Sequence, residues 1–158
     1  MSEAAAPPSE DDVRRWRRRF AAEANNRGWA LAEQPARTAA EDAEMLDAAY
    51  ASRHLWAPIG TADNAAYAEL LLGQVHALLR NGPAALAHAR AAHARLAAPD
   101  RSAWEIAFAG AVLAHAAHAA GDAALYAREY AAASAAAAAL EGEDRRIFDA
   151  TFRTVPPP

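Results

Sequence analysis

Histidine is the residue type in this chain best suited to binding a metal or exchanging protons near neutral pH. His115 and His118 share the apolar, inward stripe of one predicted helix with Trp104 and Phe108, and His93 lies on the inward stripe of the helix before it. Neutral imidazoles on neighbouring helices can bind zinc or iron, but these two helices offer no inward acid to orient the rings. We therefore expect histidines that hydrogen-bond within the core, with a metal-binding helical bundle or enzyme using His93, His115 and His118 as the alternative. His76 and His88 are expected to point away from their stripes.

A second set of residues is suited to binding a partner. The second predicted helix carries Asp42 and Arg53 on an otherwise apolar stripe, and the sixth carries Glu129. Charged and aromatic residues at inner positions are typical of the concave surface of a helical repeat. The predicted binding face consists of Tyr50, Arg53, Trp56, His115, Tyr126 and Tyr130.

This face would suit a protein or peptide partner, or a small anionic ligand, because a guanidinium beside aromatic rings stacks and donates paired hydrogen bonds. Two simpler interpretations remain open. The charged side chains could lie at the stripe edges and reach water. Tyr50 and Trp56 could only fill the junction between the first two helix pairs.

Five arginines surround one tryptophan in DDVRRWRRRF, residues 11–20. At about 100° per residue, Val13, Trp16 and Phe20 share one side of a helix, and the arginines occupy the other. Trp16 is therefore expected in the core. Residues 1–35 hold six arginines and six acids, so their net charge is zero, and the pairs Glu10–Arg14 and Asp11–Arg15 have helical ion-pair spacing. A balanced surface does not favour a nucleic acid.

Known catalytic signatures are absent from the sequence. It contains no glycine-rich phosphate loop and no Gly-x-Ser-x-Gly turn, and its lack of cysteine excludes thiol chemistry and thiolate metal sites. We expect a non-enzymatic binding or scaffold protein that needs no cofactor.

The elements that must position these residues are predicted to be helices. Of 158 residues, 51 are alanine, which has the highest helix propensity and a side chain small enough for close helix packing. The capping boxes TAAE (38–41) and SAWE (102–105) begin two of the helices, and NNRG near residue 28 is expected to interrupt the first. The predicted fold is all-α: three stacked antiparallel hairpins, near residues 10–56, 61–98 and 102–140, and a short capping helix near 144–153.

Weak internal repetition supports this arrangement. Gly82 and Gly121 lie 39 residues apart, and a histidine precedes each by six positions. The series Gly82, Ala87, Ala94 and Pro99 resembles the tetratricopeptide pattern of turn glycine, small packing residues and terminal proline. The resemblance covers residues 62–140 and implies a helical repeat.

A second resemblance is carried by AAYASRHLWAPIGTADN (48–64) and ALAHAR (85–90). Both segments are similar to a group of bacterial helical-repeat proteins that have a fold in common but no established activity. That group has histidines where this chain has Tyr50 and Leu55, so any role that depends on those histidines is not implied here.

The remaining predictions concern domains and location. Residues 1–9 are expected to be a disordered tail, 10–153 one helical-repeat domain, and 154–158 an extended tail. The sequence shows neither a membrane span nor a secretory signal. We expect a cytoplasmic bacterial protein that binds no membrane.

Overall fold

A computed structural model describes residues 7–158, and every regular element in that range is an α-helix. The helices are α1 (Glu10–Ala32), α2 (Ala39–Trp56), α3 (Ala62–Leu78), α4 (Gly82–Leu96), α5 (Ala103–Ala120), α6 (Ala123–Ala137) and α7 (Gly142–Phe152). The predicted all-α fold is confirmed. The hairpins α1–α2, α3–α4 and α5–α6 stack in chain order, and α7 packs on α5.

Local sequence signals set most helix starts. The Ser9 hydroxyl accepts a hydrogen bond from the Asp12 amide at the start of α1. Thr38 with Glu41, and Ser102 with Glu105, form the two predicted capping boxes at the starts of α2 and α5. These side chains satisfy amides that have no partner within the helix.

The prediction that NNRG interrupts the first helix is wrong, because α1 continues through Gly28 to Ala32. Gly28 is buried and faces α3. A Cβ at this position would lie 2.8 Å from Cδ2 of the buried Leu71, so the glycine favours close approach of α1 to α3 and does not form a turn.

Glycine also allows the other hairpins to pack closely. A Cβ on Gly73 would lie 3.0 Å from the backbone nitrogen of Ala89, across the α3–α4 contact. A Cβ on Gly82 would lie 2.5 Å from Cα of Ala120, at the end of α5. In the α3–α4 turn the residue with the left-handed conformation is Arg80, with φ of 59°. Gly82 does not supply that conformation, so its role is in packing.

The core consists of two clusters. The smaller one joins α1, α2 and α3 through residues such as Leu31, Met45 and Leu71. The larger one joins α3 to α7 and contains many alanines, with Phe108 and Phe148 among its few large members. Small residues bring the helices together, and the few large rings fill the remaining space.

Trp16 was expected in the core, and that expectation is wrong. Its residue surface is 47% exposed, and that of Phe20, stacked on it at 5.7 Å between ring centroids, is 49% exposed. Both lie in the N-terminal half of α1, and Val13 beside them is 38% exposed, so this side of the helix faces solvent. Arg15 pairs with Asp12 at 2.8 Å instead of the predicted Asp11.

The C-terminal residues pack against the helices. Val155 is buried, and the hydroxyl of Tyr126 donates a hydrogen bond to the carbonyl of Pro156 at 2.5 Å. Most of the tail predicted for residues 1–9 lies outside the described residues, and residues 7–9 precede α1 without regular structure.

Candidate functional site: a cavity lined by aromatic residues

A cavity of about 520 Å³ lies between α1, α3, α5 and α7. Three of these are the first helices of the three hairpins, so they form one side of the stack. The lining residues are Asn25, Trp29, Glu33, Tyr67, Leu70, Trp104, Phe108, Arg146, Ile147 and Ala150. Cavities of this size, with apolar walls and few polar groups, are typical of small-molecule sites.

Four rings form a continuous aromatic wall. The Trp29 and Phe108 rings meet edge to face, with centroids 5.2 Å apart. Trp104 is 5.1 Å from Phe108 and 6.5 Å from Tyr67. The rings come from α1, α3 and α5, so the wall forms only when the three hairpins stack.

The sequence positions two of these rings through specific contacts. Gly28 lets α1 approach Leu71 of α3, which places the next residue, Trp29, over the cavity. On α3, the hydroxyl of Tyr67 donates a hydrogen bond to Oε1 of Glu105 at 2.7 Å. The other oxygen of Glu105 completes the capping box with Ser102, so one carboxylate both starts α5 and fixes a cavity ring.

Burial, and after it the hydrogen bond to Glu105, together raise the pKa of Tyr67 to about 12. The Glu105 carboxylate also pairs with Arg101 at 3.2 Å, and Arg101 pairs with Asp63 at 2.6 Å. Tyr67 is therefore a neutral hydrogen-bond donor whose proton is already committed to Glu105.

Three polar side chains line the rest of the cavity: Asn25 and Glu33 from α1, and Arg146 from α7. The Glu33 carboxylate accepts a hydrogen bond from the Thr151 hydroxyl at 3.1 Å. Arg146 pairs with Glu143 at 3.3 Å, and its side chain is 77% exposed. The indole nitrogen of Trp104 is buried without a hydrogen-bond partner among the described residues.

The residues predicted from sequence as a binding face lie in two separate places. On α2, the guanidinium carbon of Arg53 lies 5.5 Å from the centroid of the Tyr50 ring, and Arg53 reaches Glu69 of α3 at 3.6 Å. Trp56, partly buried, ends α2, and its carbonyl accepts the Gly60 amide at 2.6 Å. The α2 helix packs on α1 and α3.

The other predicted members lie at the opposite end of the stack. Tyr126 and Tyr130 of α6 lie 5.8 Å apart, and Tyr130 packs on Phe152 of α7 at 4.8 Å. His115 is buried in α5 and lines a separate cavity of about 430 Å³ that also reaches Pro156. None of the six predicted residues lines the cavity lined by aromatic residues. Their role in binding stays a prediction.

His76 and His88 were expected to point away from the apolar stripes, and for His76 this is wrong. Its surface is only 5% exposed, its Nε2 lies 3.0 Å from the Tyr50 hydroxyl, and its ring stacks on His88 at 5.3 Å. His88 Nδ1 lies 2.5 Å from the carboxylate of Glu69. Burial lowers the pKa of His76, and the neighbouring His88 lowers it further.

The three histidines of the alternative metal site have different surroundings. His93 faces Glu129 of α6 at 3.6 Å, and His115 contacts Gln74 of α3 at 3.0 Å. His118 was expected inward, but it is exposed, with its ring against Tyr126. Across residues 7–158, no three His, Cys, Asp or Glu side chains are arranged to hold a metal ion.

A chain of hydrogen bonds determines which ring nitrogen of His115 carries the proton. The Thr154 hydroxyl donates to the Thr151 carbonyl at 2.7 Å and accepts from the Gln74 amide nitrogen at 2.7 Å. The Gln74 oxygen therefore faces His115, whose Nδ1–H donates to it. Burial lowers the pKa of His115 to about 4, with a smaller contribution from His118, so the ring is neutral and structural.

Sequence reasoning placed Trp104 and Phe108 on an inward face but did not identify them as cavity residues. It missed Trp29 and Glu33, because NNRG was interpreted as the end of the helix. A comparison of the chain with protein-family models, curated proteins and solved structures finds no match. Within residues 7–158, no helix combines the length and the apolar character needed to cross a membrane.

Proposed function

We propose that this protein is a non-enzymatic, tetratricopeptide-like binding module whose cavity between α1, α3, α5 and α7 binds a small organic molecule with an apolar body. The observation that carries the proposal is the continuous wall of Trp29, Phe108, Trp104 and Tyr67 around about 520 Å³. Rings in such a wall bury large apolar areas of a ligand and orient it by edge and face contacts.

The cavity walls favour binding over catalysis. Acid–base chemistry needs positioned groups within reach of the same reacting atoms. The cavity offers one carboxylate, Glu33, and one phenol, Tyr67, whose proton is donated to Glu105. No histidine, serine or cysteine lines it.

The shape supports a small molecule as the occupant. The four rings converge from three helices on one cavity, and Ile147 and Ala150 of α7 line its far side. At the alternative binding face, Arg53 already interacts with Tyr50 and Glu69, so an anionic ligand there would compete with that carboxylate. The cytoplasmic location and bacterial origin stay predictions from the sequence.

The test uses the neutral dye N-phenyl-1-naphthylamine, whose fluorescence rises in apolar surroundings. We expect saturable binding to the wild-type protein. Ala150→Phe fills the cavity from α7 and should weaken binding by about tenfold or more, equivalent to about 1.4 kcal/mol. Ala132→Phe adds the same ring at an exposed position of α6 and should leave binding unchanged.

A second variant guards against a folding defect in Ala150→Phe. Ile147 lines the cavity but is 37% exposed, so Ile147→Asp should fold normally and still weaken dye binding. Dye binding that is equal in wild type, Ala150→Phe and Ile147→Asp would show that the dye binds elsewhere, and the proposal would be abandoned.

A further inference from the structure

We infer that the molecule bound in this cavity is an organic cation, an amine or quaternary ammonium on an apolar body. The inference rests on the proposed function and names the ligand class for the same site. Three features contribute negative potential to the inner wall: a carboxylate without an ion-pair partner, the helix C-terminus at the same residue, and a set of aromatic rings.

The carboxylate is that of Glu33. Its hydrogen bond comes from the neutral hydroxyl of Thr151, at 3.1 Å. The other acidic residues near the cavity are matched: Glu105 pairs with Arg101, and Glu143 pairs with Arg146. Among residues 7–158, Glu33 forms no ion pair, so its charge is available to a ligand.

Glu33 also stands at the end of α1, as its C-cap residue. A helix C-terminus carries partial negative charge and is normally stabilised by a basic residue in its last turn. The last turn of α1 has none. Arg37 donates to the Leu31 carbonyl at 3.2 Å, but its charge is matched by Asp42 at 2.7 Å. Arg37 thus partly satisfies the carbonyls at this end of α1, and the carboxylate of Glu33 is the larger source of negative potential here.

The aromatic wall adds the third source. The faces of Trp, Tyr and Phe rings attract cations within about 6 Å of their centroids. Within residues 7–158, the guanidinium groups that lie over rings are Arg15 on Trp16 and Arg53 on Tyr50, both outside the cavity. No guanidinium among the described residues therefore lies over a ring of the cavity.

Three arginines near Glu33 oppose this potential: Arg37, whose charge is matched by Asp42, and two at the surface. Arg146 lies at the cavity wall but is highly exposed and paired with Glu143. Arg153 lies beyond Glu33, in a neighbouring cavity, and donates to the Ala150 carbonyl. Water and salt screen charges on exposed side chains far more than those at an apolar wall. The inner wall therefore favours a positive charge, and the arginines favour an anion only at the rim.

The test compares three probes of similar size by isothermal titration calorimetry at pH 7. They are 2-phenylethylamine, which is a cation at this pH, 2-phenylethanol, which is neutral, and phenylacetate, which is an anion. We expect the amine to bind about fivefold or more tightly than the alcohol, equivalent to about 1 kcal/mol, and phenylacetate to bind weakest.

Glu33→Gln keeps the oxygen that accepts the Thr151 hydrogen bond and removes the charge. This variant should bind the amine about fivefold more weakly and the alcohol with unchanged affinity. Glu23→Gln is the matched control, because it makes the same charge change on the same helix at an exposed residue paired with Arg19. It should leave both affinities unchanged. Arg146→Gln should tighten amine binding.

The outcomes separate the two proposals. If the alcohol or phenylacetate binds the wild type as tightly as the amine, and Ala150→Phe weakens all three, the cavity is the site but the cation inference is overturned. Amine binding that is equally weakened by Glu23→Gln and Glu33→Gln would overturn it as well, as a general charge effect. If none of the probes binds saturably, both proposals fail.

Discussion

The indole of Trp29 meets the ring of Phe108 edge to face, with 5.2 Å between the centroids. Trp29 belongs to the first hairpin and Phe108 to the third, so this pair connects the two ends of the stack directly. Both rings belong to the wall of the cavity. The stability of the array and the shape of its cavity therefore depend on the same rings.

The two tryptophans of α1 are predicted to differ in their contribution to stability. Trp29→Ala removes a ring packed between hairpins and should lower the free energy of unfolding by about 3 kcal/mol. Trp16→Ala removes an exposed ring and should cost less than about 1 kcal/mol. Urea unfolding followed by circular dichroism measures both. Equal losses would contradict the exposed position of Trp16.

These tryptophans also show what the sequence could predict. The capping residues Thr38 and Ser102 act on amides three positions away, so their role follows from the local sequence. Trp16 lies on an apolar stripe of α1, but whether another element covers that stripe depends on the order of hairpins in space. Periodicity predicts the direction of a side chain and does not predict its neighbour.

Gly82 and Gly110 provide a second test, now of helix packing. A Cβ at Gly82 would meet backbone atoms of Ala120 and Ala119 at 2.5 to 2.8 Å, so Gly82→Ala should destabilise the fold by about 1 to 3 kcal/mol. At Gly110 the nearest atom would be Cβ of Ala133 at 3.5 Å, an ordinary contact. Gly110→Ala should stabilise α5 by about 0.5 to 1 kcal/mol. Thermal unfolding of both variants measures these effects, and a stable Gly82→Ala protein would refute the close approach of α4 to α5.

His115 should make stability depend on pH. The pKa of His115 is about 4 in the folded protein and 6.5 in the unfolded chain. As the pH falls, the unfolded chain therefore takes up the proton first. Above pH 6.5 this histidine does not reduce the free energy of unfolding. As the pH falls towards 4, the free energy of unfolding decreases, by up to about 3 kcal/mol. His115→Gln should lack this part of the decrease.

The matched control for His115 is His54→Gln, an exposed histidine of α2. The free energy of unfolding in urea is measured between pH 7.5 and 4, a range set by the shifted pKa of His115. Plotted against pH, it should give parallel curves for His54→Gln and wild type. A pH dependence that is unchanged in His115→Gln would show that the buried ring does not control acid stability.

The candidate site was harder to predict than the fold. Glu105 was recognisable as a capping residue, yet its second contact, with Tyr67 from the preceding hairpin, depends on tertiary packing. Trp104 and Phe108 were expected inward, which is correct for core and cavity residues alike. Glu33 follows a segment that resembled a helix end, because a glycine needed for close packing has the same sequence signal as a terminating one.

The four tryptophans allow the most direct test of the proposed site. Trp29 and Trp104 line the cavity, whereas Trp16 and Trp56 lie outside it. In ¹H–¹⁵N spectra assigned with single Trp→Phe variants, titration with 2-phenylethylamine should shift the indole signals of Trp29 and Trp104 with one common saturation curve and leave the other two in place. Shifts confined to Trp16 or Trp56, or equal unsaturated shifts at all four, would contradict binding in this cavity.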